Sequence, residues 1–335
     1  MESRSFIDFL ERYGRTVPPS MRFSENITDY AKWKTGFYEK LNSLLGPVPG
    51  RSDLAVETLD VEEGDHYTTK LMTVTVNEFS DLPFYCLTPK DINEGEKRPA
   101  VIALHGHTAQ GMETIAGRSN DAEKTPNRGY GRCAAEAGYV VMIPAWWGWP
   151  GRNGHIDVVG NRDKCNVIQM AAAMYGLNVL SMHIQDGTAL VDVLAEMPEV
   201  DTDGIACMGH SYGGRTAMWL TVFDKRISVC IASGCMNTFR ERSLILSSCG
   251  IQYLPGLLRY GDVAEVFSLI APRPLQLMAG KSDPLLNGED KKLILDTACR
   301  AYASEGKEDN LDYAQHEGGH DFRWDLAEPF LKRHL

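Results

Sequence analysis

Apolar positions along the chain follow two different rhythms. Between residues 54 and 88 they alternate with period two. The segments Leu54-Ala55-Val56-Glu57-Thr58-Leu59-Asp60-Val61, Lys70-Leu71-Met72-Thr73-Val74-Thr75-Val76 and Leu82-Pro83-Phe84-Tyr85-Cys86-Leu87 read as antiparallel edge strands. Beyond residue 98 the strands become apolar runs, continuous at 99–104 and followed by 139–144 and 205–208, the pattern of strands buried on both faces of a parallel sheet, with further strands at 227–232 and 274–279. Helical spacing separates them: 132–137, then 178–197 with Leu180, Ile184, Val191 and Leu194 on one side, then 285–303. A short strand at 311–314 and a helical tail from 322 complete the order. Strand and helix in alternation predict an α/β fold, a mainly parallel sheet covered by helices on both faces.

Two parts depart from that rhythm. Residues 1–50 predict two helices, 6–13 and 30–45, the second with Trp33, Phe37, Leu41 and Leu44 on one face and ended by Gly46-Pro47-Val48-Pro49-Gly50. This pair forms an N-terminal helical extension to one domain spanning 51–335, and its apolar faces need a partner, either that domain's core or a second copy of the chain. Residues 145–178 are too long for a plain connection and read as a lid-like insertion, with Trp146, Trp147 and Trp149 at its start.

The chemistry concentrates where the 205–208 strand gives way to a helix. There Gly209-His210-Ser211-Tyr212-Gly213 matches Gly-x-Ser-x-Gly, the turn that holds a serine up as a nucleophile at a helix N-terminus. A serine hydroxyl near neutral pH needs an imidazole to take its proton and a carboxylate to orient that imidazole. Asp283 directly follows the 274–279 strand and His320 follows the last strand after Gly318-Gly319, so Ser211, Asp283 and His320 are the candidate catalytic residues. Asp290, at a helix start, and His316, at a strand end, are the competing choices. The oxyanion donors expected are the backbone N–H groups of Tyr212 and of His107, with Gly106 allowing close approach. His105 reads as a buried residue bonded to backbone. Trp146 and Trp147 are candidate substrate-binding residues, with fastening of the insertion to the core as the competing role, and Arg152 is expected to pair with a carboxylate there.

His316-Glu317-Gly318-Gly319-His320 also fits the H-E-x-x-H string of zinc proteases, which requires a helix. Two consecutive glycines cost such a helix about 2 kcal/mol relative to alanine, and the segment follows a strand, so no metal site is expected there.

A formal charge of −11 argues against nucleic acid or an anionic membrane surface as partner. No apolar run approaches the ~20 residues of a membrane span, and residues 1–10 lack the pattern of a secretory signal. The eight cysteines contain no C-x-x-C pair and no zinc spacing, which points to reduced thiols and a cytoplasmic location.

Taken together, these residues resemble the α/β-hydrolase superfamily, within it the dienelactone hydrolase-like and acetyl xylan esterase-like branch. The similarity runs over roughly 98–325 and is carried by His105-Gly106-His107, the 200–214 run, Ala271-Pro272-Arg273-Pro274-Leu275, Gly280-Lys281-Ser282-Asp283 and Gly318-Gly319-His320. The resemblance implies a serine esterase acting on a small-molecule ester through Ser211, Asp283 and His320, with no cofactor. Dienelactone hydrolases proper carry cysteine where this chain has Ser211. A peptidase or amidase with the same triad, or a lactone hydrolase, is the alternative reading, and a non-catalytic binding protein on this fold is a further one.

Overall fold

A computed structural model describes residues 5–119, 126–152, 164–244 and 249–335. Nine strands form one sheet: β1 (Val56–Glu63), β2 (Tyr67–Asn77), β3 (Ser80–Pro89), β4 (Arg98–Leu104), β5 (Val140–Pro144), β6 (Val200–His210), β7 (Ile227–Ser233), β8 (Leu275–Gly280) and β9 (Leu311–His316). Their order across the sheet is β1-β2-β3-β5-β4-β6-β7-β8-β9. The alternating segments pair antiparallel, β1 with β2, β2 with β3 and β3 with β5, whereas every pairing from β5 to β9 is parallel.

Among the described residues the helices are α1 (Phe6–Thr16), α2 (Tyr30–Leu45), α3 (Met112–Ile115), α4 (Tyr130–Glu136), α5 (Lys164–Met174), α6 (Val179–Glu196), α7 (Tyr212–Phe223), α8 (Phe239–Leu244), α9 (Val263–Ser268), α10 (Gly288–Ser304) and α11 (Trp324–His334). They cover both faces of the sheet, and β4 shows how. Ala100, Ile102 and Leu104 enter one apolar cluster, with α2, α6, α7 and α9, while Val101 and Ala103 enter the other, with α3, α4 and α11. An unbroken apolar strand is what two buried faces demand.

The N-terminal pair divides. On α2, Trp33, Phe37, Leu41 and Leu45 are buried in the first cluster, each contributing about 1.5–3 kcal/mol of apolar burial, and the Tyr30 hydroxyl donates to the Ser268 carbonyl at 2.5 Å. At the end of the helix Leu45 is buried, whereas Leu44, expected on that face, is only partly buried. α1 buries no residue and leaves Phe6, Phe9 and Tyr13 stacked on one another and exposed. β1 is the edge strand its alternation suggested, and all eight of its residues are exposed: among the described residues no helix covers it.

Of the expected 145–178 insertion, 153–163 lie outside the described residues; its second half is α5. Among the described residues no single helix is long and apolar enough to cross a membrane.

The Ala-Pro-Arg-Pro stretch has a mechanical role. The Ala271–Pro272 bond is cis, and the Arg273 guanidinium donates to the carbonyls of Thr221, Asp224 and Ile227 at 2.6, 3.1 and 2.8 Å. One side chain thereby ties the end of α7 to the start of β7, next to the strand that leads to Asp283.

Candidate active site

Ser211 stands between β6 and α7 with φ 59° and ψ −118°, and it is the one non-glycine residue with positive φ among those described. Such a conformation costs about 1–3 kcal/mol and persists only where the surroundings enforce it. Here they do. The Ser211 N–H donates to the Ser233 carbonyl at 2.7 Å. A Cβ on Gly213 would overlap the Leu104 carbonyl, and one on Gly209 would overlap Gly213 itself and lie 2.8 Å from the Leu104 oxygen. Backbone touches backbone on both sides of the serine, as the turn requires.

Two loops bring the carboxylate and imidazole to this point. The end of β8 crosses the 318–319 loop so closely that a Cβ on Gly280 would overlap both glycine carbonyls, and Ser282 N donates to the Gly318 carbonyl at 3.1 Å. The crossing sets Asp283 against His320, with Nδ1 to Oδ2 at 2.7 Å. The Asp283 side chain is fully buried, and Oδ1 also accepts the Leu285 N–H at 2.9 Å. Burial alone would push this carboxyl up, but the hydrogen bonds from His320 and Leu285 outweigh it and hold it below the usual carboxylate value. A carboxylate only accepts, so the neutral imidazole carries its proton on Nδ1 and leaves Nε2 as the basic nitrogen.

Ser211 and His320 line the same cavity, of about 380 Å³, together with Gly106 and His107. Among the described residues no hydrogen bond yet joins the serine hydroxyl to the imidazole, a looseness common before substrate binds. Beside them the His210 ring lies 4.4 Å from that of His320. Burial, and then the neighbouring His320, push His210 down to about 3, so it packs there as a neutral ring.

The loop after β4 approaches the same point. A Cβ on Gly106 would meet the His210 carbonyl at 2.6 Å and the Ser211 Cβ at 3.2 Å. Among the described residues the N–H groups of His107 and Tyr212 donate to no protein acceptor. Unpaired donors flanking the serine are what an oxyanion would need.

The competing residues go elsewhere. His316 ends β9 and accepts the Gly318 N–H on Nδ1 at 3.2 Å; Asp290 lies in the first turn of α10, where it accepts the Thr238 N–H at 2.7 Å. Residues 316–320 form a strand end and a turn rather than a helix, so the H-E-x-x-H geometry is not formed.

Trp146 and Trp147 require a correction: neither is among the cavity-lining residues. Trp146 is fully buried against His183, ring centroids 4.6 Å apart, and the Arg152 guanidinium lies 3.6 Å over the Trp147 ring. Their consecutive N–H groups donate to two buried imidazoles, Trp146 to His105 Nε2 at 3.3 Å and Trp147 to His183 Nε2 at 3.2 Å. Accepting on Nε2 leaves the proton on Nδ1 of each ring, which His105 gives to the Gly106 carbonyl at 3.0 Å and His183 to the Tyr212 hydroxyl at 2.5 Å. The tandem tryptophans thus fasten the segment after β5 to the loop after β4 through His105, and to the Tyr212 side chain through His183 of α6. Arg152 pairs with Asp186 on α6, outside the insertion, with both side chains buried.

No protein-family model matches the chain. It is 29% identical over 289 residues to a protein of Bacillus subtilis (strain 168) described as "Putative hydrolase YtaP", spanning 84% of this chain and 92% of that one. Among solved structures it superposes on one described as a "putative acetyl xylan esterase" from Bacteroides fragilis NCTC 9343 with TM-score 0.83, at 17% identity over 100% of this chain and 96% of the other. A glucuronoyl esterase from Solibacter usitatus follows with TM-score 0.68, at 17% identity over 94% and 96%. The chain has the α/β-hydrolase fold.

The cavity wall also holds residues that pattern reading missed: Arg128, Arg215, Asn237, Arg242 and Gln252. Arg215 had a usable signal, since four residues after Ser211 on one helix is the same face. The guanidinium donates to the backbone and side-chain oxygens of Asn237 and lies 4.6 Å over the Phe239 ring. Nothing local marks the others, which the fold collects from separate loops.

Proposed function

We propose that this protein is a serine hydrolase that cleaves carboxylic esters through an acyl-enzyme. His320 Nε2 takes the Ser211 proton as Oγ attacks the ester carbonyl, and Asp283 stabilises the imidazolium that forms. Negative charge on the carbonyl oxygen rests on the N–H groups of Tyr212 and His107, aided by the α7 N-terminus. Collapse expels the alcohol, which takes the imidazolium proton, and a water activated by the same nitrogen releases the acid. The 2.7 Å bond from His320 to Asp283, in the wall of the cavity that also holds the strained Ser211, carries this reading. The acetyl xylan and glucuronoyl esterases of like fold support it.

For the substrate, the reading favours an ester of an oxygen-rich group such as a saccharide. Arg128, Arg215, Asn237, Arg242 and Gln252 give the cavity hydrogen-bonding side chains suited to hydroxyls and carboxylates. A fluorophosphonate probe tests the reaction class: wild type is labelled and Ser211→Ala is not, and labelling of both would sink the proposal. Rates on p-nitrophenyl acetate, longer acyl esters, acetylated xylo-oligosaccharides and aminoacyl anilides then separate esterase from peptidase and size the acyl site.

The exposed aromatic stripe of α1 is the proposed contact with a second copy of the chain, and the cytoplasm remains the proposed location. A monomeric mass by light scattering would remove the first of these.

A further inference from the structure

One wall of the cavity holds a side-chain cluster that ester hydrolysis does not use. His107 Nε2, Cys165 Sγ and Cys249 Sγ all lie within 4.8 Å of one another, and Nε2 to the Cys165 sulfur is 3.5 Å. The three come from separate places: the loop after β4, the first turn of α5, and the residue capping a short 3-10 turn at Gly250–Gln252. No spacing rule in the sequence could have joined them. Both thiols are buried, while the imidazole is exposed toward the cavity it lines with Cys249.

The geometry suits a tetrahedral ion. Bonds of about 2.3 Å to sulfur and about 2.0 Å to nitrogen, at the tetrahedral angle, separate the two donor atoms by about 3.5 Å. One imidazole and two thiolates is a donor set for zinc-class cations, not for magnesium or calcium. The segments bearing the two thiols are already fixed to each other, because Asn166, next to Cys165, accepts the N–H of Gly250, next to Cys249, at 2.6 Å. We propose that His107, Cys165 and Cys249 form a binding site for a zinc-class divalent cation that clasps α5 and the Gly250–Gln252 turn to the loop carrying His107. Binding replaces two S–H bonds with two metal–sulfur bonds and releases two protons, while His107 ligates as the neutral ring. Three protein ligands leave one coordination position, and with two of the ligands in the cavity wall that position is open to water or to a small ligand entering the cavity.

The test uses the full chain, reduced and stripped with chelator under anaerobic conditions, then titrated with Co²⁺ alone as a spectroscopic substitute for zinc. Expected are one equivalent bound, with tetrahedral d–d bands and thiolate-to-cobalt charge-transfer absorption, and loss of both on adding Zn²⁺. Cys165→Ser and Cys249→Ser should each weaken binding by about tenfold or more and cut the charge-transfer intensity, whereas Cys299→Ser, at the exposed cysteine of α10, should leave the titration unchanged. Absence of a charge-transfer band in wild type overturns the proposal whatever the variants do. So does a band that survives in both serine variants, or one lost with Cys299. The readout is independent of turnover, so it is separable from the fluorophosphonate test of the hydrolase.

Discussion

His320 Nδ1 lies 2.7 Å from Asp283 Oδ2, and the two residues sit in loops that follow neighbouring strands of one sheet, β8 and β9. The bond fixes which imidazole nitrogen is basic. Asp283→Asn keeps the shape but offers an amide N–H to Nδ1, which favours the wrong tautomer. A fall in kcat of about 10⁴ is expected, with KM little changed, measured on p-nitrophenyl acetate. A loss under tenfold would mean that another carboxylate orients the imidazole.

Tyr212 separates a backbone role from a side-chain role. Its N–H is the proposed oxyanion donor, whereas its hydroxyl accepts from His183. Tyr212→Phe should therefore retain turnover within about tenfold and lower stability by about 1–3 kcal/mol, because a buried imidazole N–H loses its acceptor. Urea midpoints and steady-state rates on the same preparation check both halves.

His105 and His183 stay neutral in the fold. Burial pushes His105 down to about 4 and His183 well below its ordinary value. Folded-state values below the unfolded value of about 6.5 mean that the unfolded chain binds more protons, so their contribution is full above that pH and is lost as pH falls through it. Between pH 7 and 5 the loss should reach about 1–2 kcal/mol for each ring. Denaturation midpoints across that window should fall toward acid, and His183→Gln, which cannot gain the charge, should flatten the slope.

Arg152 and Asp186 form a buried pair under Trp147. Burial raises the Asp186 carboxyl and the guanidinium opposes the rise. Removing the cation alone, Arg152→Met, should cost about 3–5 kcal/mol, and adding Asp186→Leu should restore most of it. If the double variant is as unstable as the single, the pair is held by more than its charges.

Glycines divide by what surrounds them. Gly213→Ala drives a methyl into the Leu104 carbonyl and should destabilise by more than about 4 kcal/mol, whereas Gly14→Ala, with nothing within 4 Å on α1, should be neutral or stabilising by about 0.5–1 kcal/mol. Thermal melts of the two variants decide the contrast.

Much of this was legible before any coordinates. The switch from alternating to unbroken apolar runs marked where the antiparallel edge meets the parallel body, and Gly209 to Gly213 declared its turn because only glycine fits between Leu104 and α7. Asp283 was readable because it directly follows a buried strand, and His320 because it follows the last strand after two glycines. Side-chain destinations were not. Trp146 and Trp147 look alike whether they face a cavity or two buried imidazoles, and Arg152 meets a carboxylate 34 residues away. His183 did leave a trace, a titratable residue inside the apolar face of α6, which usually means a satisfied buried ring. The exposure of β1 was hidden for a different reason: alternation records which residues could be covered, not whether anything covers them.

That uncovered strand has a practical consequence. β1 stands five places across the sheet from β6, which leads into Ser211. Tethering chemistry placed on its outward-facing side chains, for instance a cysteine at Glu57 or Asp60 with Cys299 replaced, would anchor the protein to a solid support by the margin most remote from the reaction, leaving the mouth of the cavity open to the passing liquid.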